Sequence, residues 1–474
     1  MFVIDPVLSQ GVIHMALYKN ANTRWLDMSG NHMLGTIPGD IQKFIPRVEY
    51  LNFSSNAFNG VIPSVICDLS ELQVLDLSNN KFSGEVPKGL LGVTEIRLSN
   101  NILHGEVLRN SSLGSTEILH LDNNCFTGNI GNSTKENSFL TILDISDNHF
   151  TGTIPCWISN MLENAELLVR NNNFEGQFPC GKAFFSFLDL SQNSFSGPIP
   201  SCLISENIKH RHFGSNKFTG FIPNAFRNLT KVLTLDIGHN YLSGTIPKFI
   251  GELYNLRILL LGNNNFTGII PKRLCQLKDV SLIDLSSNSL SGLIPRCLQN
   301  ITGPKTLAFI QEQDGLYGIG PSYMYGTVMQ PYSMSLFDHV GTRDEAKFTT
   351  KSNSQTYKGN ILDYMSGFDL SCNKLTGEIP QELGMLTGHI PVNLSNLKNM
   401  ESLDLSFNSL TGEVPPELIK LNSLAVLNVS YNNLSGRLPE MKAQFSTFTK
   451  ESYEGNPLLS VVHHWRKIAP LNQR

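Results

Sequence analysis

LDLSNNKFSGEVP, residues 75–87, returns as LDISDNHFTGTIP (143–155), LDLSQNSFSGPIP (188–200), LDIGHNYLSGTIP (235–247), IDLSSNSLSGLIP (283–295) and LDLSFNSLTGEVP (403–415). The shared template is L-x-L-S-x-N-x-L/F-S/T-G-x-I/V-P. Its Asn falls at 31, 56, 80, 101, 124, 148, 172, 193, 216, 240, 264, 288, 373, 408 and 432. Successive Asn residues lie 21–25 apart, except at 288→373 and 373→408. A period of this length marks a stacked repeat array, in which no unit buries its apolar face alone.

Each template position has a physical task. The two aliphatics of L-x-L point inward from a short strand while their neighbours face outward. The Asn amide can bond backbone groups at the following turn, so that stacking makes a ladder that satisfies buried polar atoms. Gly permits a turn where a Cβ would clash. The Ile of I-P points inward, and the Pro ends strand pairing.

Over roughly residues 25–440 these residues resemble the plant-specific leucine-rich repeat, L-x-x-L-x-L-S-x-N-x-L-S-G-x-I-P. The resemblance implies an α/β-type repeat solenoid, a right-handed superhelix with a concave parallel β-sheet and further short strands around G-x-I-P. The expected organisation is a partial N-terminal repeat or cap remnant (1–24), repeats (25–302), an island (303–360), further repeats (361–440) and an incomplete cap with a divergent tail (441–474).

The island is the first break in the period. GPKTLAFIQEQDGLYGIGPSYMYGTVMQPYSMSLFDHVGTRDEAKFTTKSNSQTYKGN (303–360) lacks the template and is rich in Tyr, Met, Gly and Pro. A long insertion of this kind is either functional or a disordered loop, and the Tyr density here argues for function. An island just before the last repeats is similar to that of plant leucine-rich repeat receptor-like proteins, whose island exit carries a Lys-x5-Tyr element. Here Lys351 and Tyr357 match it. The resemblance gives them a role in meeting ligand and co-receptor kinase.

The second break is IPQELGMLTGHIP (379–391), where two Ile-Pro pairs end eleven residues apart. The spacing predicts that the strand near Phe368–Leu370 stacks directly on that near Leu403–Leu405. The surplus would then bulge between Pro380 and Pro391, leaving Met385 or Leu386 poorly packed.

A net charge of −4 gives no electrostatic case for nucleic acid or an anionic membrane. No run of 18 apolar residues occurs. Catalytic signatures are missing: H-E-x-x-H, G-x-S-x-G, the P-loop and the kinase motifs are all absent. GLYGIG (315–320) has no strand before it, and His463 and His464 lie in the tail, so neither phosphate nor metal binding is expected, and no cofactor. The eight cysteines read mostly as small buried apolar side chains. Two pairs are disulfide candidates: Cys156 with Cys180, at equivalent repeat positions directly after a Pro, and Cys275 with Cys297.

Outward strand positions supply the candidate binding face. They include Glu95, Arg97, Glu117, His120, Asp144, Asp147, Glu166, Arg170, Asp189 and Gln192, followed by Lys209, His210, His212, Asp236, His239 and Arg257. The face reads either as a solvated sheet surface or as a mixed-charge groove for a peptide or glycan, with Lys209, His210, His212, Asp236, His239 and Arg257 as its candidate contacts and the histidines of 208–216 making binding acid-sensitive. Arg211 stands where most repeats have an inward aliphatic. Nine N-x-S/T sequons, at Asn52, Asn110, Asn132, Asn228, Asn265, Asn300, Asn393, Asn428 and Asn433, favour passage through the secretory pathway.

By resemblance, the intact family acts at the extracellular face of the plasma membrane. It binds a peptide, protein or glycan and signals through adaptor and co-receptor leucine-rich repeat receptor kinases. Against the family pattern, no signal peptide precedes TRWLDMSGNHMLG, Leu459 stands where the cap has Cys, and VVHHWRKIAPLNQR departs from the membrane-spanning tail. The expectation is therefore a truncated ectodomain. The alternatives are a secreted inhibitor of a microbial wall-degrading enzyme, which usually has no island, and a non-functional truncated copy.

Overall fold

The computed structural model describes residues 2–3, 10–12, 22–109, 113–131, 139–162, 164–181, 185–201, 209–301, 345–350, 353–358, 366–381, 401–421, 423–439 and 442–460. The chain forms two compact units, Met1–Leu229 and Thr230–Arg474.

Both units are solenoids of the same coil. In each coil the L-x-L segment is a short strand and the N-x-L/F-S/T-G segment a second, and in most coils the stretch after Pro is a 3-10 turn. One example runs Ile258–Leu260, Asn265–Ile269 and Lys272–Gln276. First strands pair in parallel and in register from coil to coil. In the first unit Leu51 sits opposite Leu75, Leu75 opposite Ile96, and Ile96 opposite Leu119. In the second, Leu259 sits opposite Ile283 and Ile283 opposite Phe368. The second strands pair likewise, as the repeat family implies. The repeat solenoid with its parallel sheet is as expected, and only its convex segments are shorter than helices. Among the described residues they are 3-10 turns of three to five residues, with no α-helix. A coil of 21–25 residues that spends most of its length on two strands and their turns leaves no room for a longer helix.

Inward aliphatics of L-x-L are fully buried, and the L/F position of the second strand makes a phenylalanine spine in the first unit. Phe126, Phe150, Phe174, Phe195 and Phe218 stack at a constant 6.2 Å between ring centroids. The Asn ladder forms as the template demands. Asn264 Nδ2 donates to the carbonyls of Ile237 (3.0 Å), Leu261 (3.1 Å) and Gly262 (3.2 Å). Its Oδ1 accepts the Leu242 N–H from the coil before, at 3.0 Å. Template Gly268 has φ +82, and a Cβ there would lie 3.0 Å from Thr245 Cγ2.

Neither break in the period interrupts the stack. Asp284 pairs with Asp369 across the island, and the Asn373 amide reaches back to Leu285 O at 2.9 Å. Gly367–Asp369 then pairs directly with Ser402–Asp404, Phe368 opposite Leu403, as the shortened spacing at 379–391 predicts. Met385 and Leu386 lie outside the described residues. The ladder also continues past residue 440. Asn456 accepts the Leu434 N–H, and Leu458–Ser460 pairs with Asn433–Arg437, placing Leu459 opposite Gly436. The sequence missed this coil because EGNPLLS keeps the Asn without the aliphatics of L-x-L. No helix among the described residues is long and apolar enough to cross a membrane.

The expected Cys156–Cys180 pair does not form: Cys156 is free and exposed, and Cys180 is in a different disulfide. Cys275 and Cys297 are bonded, with Cα atoms 5.6 Å apart. The reason is geometric. Equivalent positions in adjacent coils have parallel Cα–Cβ bonds and stay about one strand spacing apart, wider than a disulfide's Cβ separation. Cys275 and Cys297 fall at the fourth and second positions of their 3-10 turns, so their side chains converge. Cys67, Cys125 and Cys372 are also free and exposed, not the small buried side chains expected.

Candidate recognition face of the sheet

Between the inward leucines, each first strand turns one or two side chains to the open face of the sheet. The commonest is Asp, as in L-D-L-S. Its Oδ1 accepts the N–H two residues on, at 2.9 Å from Asp189 to Ser191 and 3.0 Å from Asp369 to Ser371. This turns half of each carboxylate into a backbone brace and leaves the other oxygen to the face.

The expected groove residues fall into both units. In the first, Lys209 is exposed just before the strand His210–His212. His210 and His212 are buried rather than open to solvent, because Phe187 of the neighbouring strand covers them, with ring centroids 5.4 and 5.8 Å away. Arg211 points into the core in register with Leu188 and is only 1% exposed, as its place in the template implies. Burial pushes its guanidinium down to about 9.

In the second unit Asp236 is half-buried, its Oδ1 accepting the Gly238 N–H at 3.0 Å. His239 is exposed in the left-handed conformation (φ 52), and Arg257 is half-buried at the entry to its strand. Asp284, Asp369 and Asp404 stand in register on three successive coils. Burial, then repulsion from Asp284 and Asp404, raises the Asp369 carboxyl to about 8. Asp284 is raised too, mainly by burial, with His239 pulling the other way.

The island reaches this face. Its described part is an antiparallel hairpin, Glu345–Thr350 with Asn353–Lys358, in which Tyr357 pairs with Ala346. Lys351 lies outside the described residues. Phe348 packs on Ile258, Leu260 and Leu282, all at open-face positions of their strands. The sequence carried a signal for this patch, since RILLLGN places Leu260 where the neighbouring coils have Asp236 and Asp284.

The sequons divide by placement. Asn228, Asn265 and Asn433 are exposed. Asn52 is 8% exposed, with its amide donating to Tyr50 Oη and accepting from Ser54, so it has no nitrogen to offer a glycan. Asn428 is half-buried and donates to Asp404 Oδ2 at 3.1 Å. Asn300 ends the 3-10 turn Arg296–Asn300, and Asn110, Asn132 and Asn393 lie outside the described residues.

Coil, ladder and open sheet together define a leucine-rich repeat protein. Leucine-rich repeat family models match residues 17–82 and 234–290, and also 139–161, 185–205, 280–301 and 399–421. The chain is 43% identical over 472 residues to Cuscuta receptor 1 of Solanum lycopersicum, covering 92% of this chain and 41% of that protein. It is 38% identical over 421 residues to Receptor-like protein 14 of Arabidopsis thaliana, covering 76% and 38%. The structure superposes with TM-score 0.68 and 27% identity on the Arabidopsis receptor kinase HAESA, solved in complex with the peptide hormone IDA and the co-receptor SERK1. That match covers 96% of this chain and 65% of that one. The chain belongs with the plant leucine-rich repeat receptor-like proteins, and spans about two fifths of the length of the two relatives named.

Proposed function

We propose that the chain is the ligand-recognition part of a non-enzymatic receptor, acting at the extracellular face of the plasma membrane. It binds a peptide, protein or glycan and signals through recruited leucine-rich repeat receptor kinases. The observation that carries this reading is the open sheet face. In each unit, parallel strands present side chains at a fixed spacing, Asp284, Asp369 and Asp404 among them, which suits distributed contacts to an extended ligand. The island hairpin seated on that face supports it, as does the similarity to a receptor solved with peptide hormone and co-receptor. Lys351 and Tyr357 take the co-receptor role in this reading, Lys209 contributes to the ligand surface of the first unit and Asp236, His239 and Arg257 to that of the second, and Asn228, Asn265 and Asn433 carry glycans, while the buried His210 and His212 support the face from beneath.

Expression in plant tissue of the tagged protein in its full-length context, followed by co-immunoprecipitation of receptor kinases, tests the proposal. Capture by the wild type that is lost in the Lys351→Ala/Tyr357→Ala double variant is the expected result. Equal capture by both removes the co-receptor assignment, and no kinase captured by either removes the receptor reading.

A further inference from the structure

One coil departs from the template in two adjacent places. LHLDNN (119–124) puts His where other coils have Asp, and Asp where they have Ser. His120 ends the strand Ile118–His120 on the open face and is in register with Asp144 of the next coil. His120 is 5% exposed and Asp144 8%. The His120 Nδ1 lies 4.0 Å from Asp122 Oδ1 and 4.0 Å from Asp144 Oδ2. These separations are too long for hydrogen bonds between the three groups. They are the separations of donors around a shared point, and one donor atom from each residue lies within 4.8 Å of the others. The centre of such a triangle is about 2.3–2.5 Å from each corner, a few tenths of an ångström beyond a transition-metal bond to imidazole nitrogen or carboxylate oxygen.

The braces of this coil are also rearranged. Asp144 Oδ1 accepts the Ser146 N–H at 3.1 Å, and Oδ2 is the oxygen that lies 4.0 Å from His120 Nδ1. Asp122 is held from the preceding coil by the Ser99 hydroxyl. At Ser78, Ser191, Ser371 and Ser406 the template hydroxyl donates to the Asp two residues before it. Ser146 occupies the same template position, is 7% exposed, and its Oγ has no hydrogen-bond partner. It stands one coil on from Asp122 in the same row, a further oxygen beside the cluster. Arg97 of the preceding coil is in register with His120, and its Nε is bonded to Glu95 at 2.6 Å.

We propose that His120, Asp122 and Asp144 form a binding site for a first-row divalent metal ion of the Zn2+ or Mn2+ class on the open face of the first unit. One imidazole with two carboxylates is a borderline-hard donor set, suited to these ions over Ca2+, which prefers oxygen alone. Three protein donors leave a coordination position for water or an anionic group of a bound molecule. The two carboxylates offset the ion's charge, and their fixed braces hold the donors in place.

Isothermal titration of the full chain with ZnCl2, MnCl2 and CaCl2 in turn tests the site. Asp122→Ser restores the residue of the other coils and should fold, and His120→Ala removes the nitrogen donor. The expected result is one saturable Zn2+ or Mn2+ site in the wild type, with a metal-dependent rise in melting temperature. Both variants should weaken binding about ten-fold or more and lose that rise. The proposal is overturned if the wild type shows no saturable binding, if Asp122→Ser binds as tightly as the wild type, or if Ca2+ alone binds.

Discussion

The Phe348 ring edge lies 3.0 Å from the point that a Cβ on Gly367 would occupy, so the island is seated on the first strand that follows it. The ring completes an apolar patch with Ile258, Leu260 and Leu282. Phe348→Ala removes the anchor, and Gly367→Ala crowds the ring, with Ser402 Cβ also 3.2 Å from the new methyl. Truncating a buried Phe costs about 3–5 kcal/mol where the site is a closed core, and here most of that loss should appear as local opening. Hydrogen exchange over residues 345–358 should speed up in both variants while the coils stay protected. Unchanged exchange in both would show that Phe348 does not hold the hairpin.

Asp369 makes stability depend on pH. Its carboxyl is raised to about 8 in the folded chain, by burial and then by Asp284 and Asp404, against about 4 when unfolded. A raised carboxyl binds its proton more tightly when folded. Stability is therefore fully present below about pH 4 and is lost as pH rises through about 8. Asp369→Asn keeps an acceptor for the Ser371 N–H without the charge. The melting temperature of the variant should exceed that of the wild type at pH 8.5 and match it near pH 4. Equal differences at both pH values would refute the shift.

The cysteines give a direct chemical check. Native alkylation should label Cys67, Cys125, Cys156 and Cys372, and non-reducing peptide mapping should return a Cys275–Cys297 link. Cys275→Ser opens a bridge of sequence separation 22 and should cost about 3 kcal/mol in thermal unfolding. A Cys156–Cys180 peptide in the map would contradict the arrangement.

The coil was legible because its constraints are local and repeated. Leu75, Asn80, Gly84 and Pro87 each answer to a neighbour one period away, so one coil predicts the next. The direct stacking of Phe368 on Leu403 followed from arithmetic on the same period. The open face was less legible, since outward positions obey no repeat rule. His210 and His212 read as a polar edge, and only the structure shows Phe187 lying across them. The Cys156 reading failed for a related reason: equivalence in sequence implies parallel side chains, and a disulfide needs convergent ones.

Arg211 offers the sharpest test of the template itself. It fills an inward position opposite Leu188, and burial drops its guanidinium to about 9, so the group remains charged at neutral pH inside an apolar stack. A charge at a buried inward position carries a desolvation cost that an apolar residue of similar volume does not. Arg211→Leu restores the residue that the other coils carry and should raise the melting temperature. Arg211→Ala also removes the charge but leaves a cavity, so it should melt below Arg211→Leu. Circular dichroism melts of the three proteins at pH 7 decide the matter. If Arg211→Leu melts below both the wild type and Arg211→Ala, the guanidinium is held by contacts worth more than its desolvation, and the template does not govern this position.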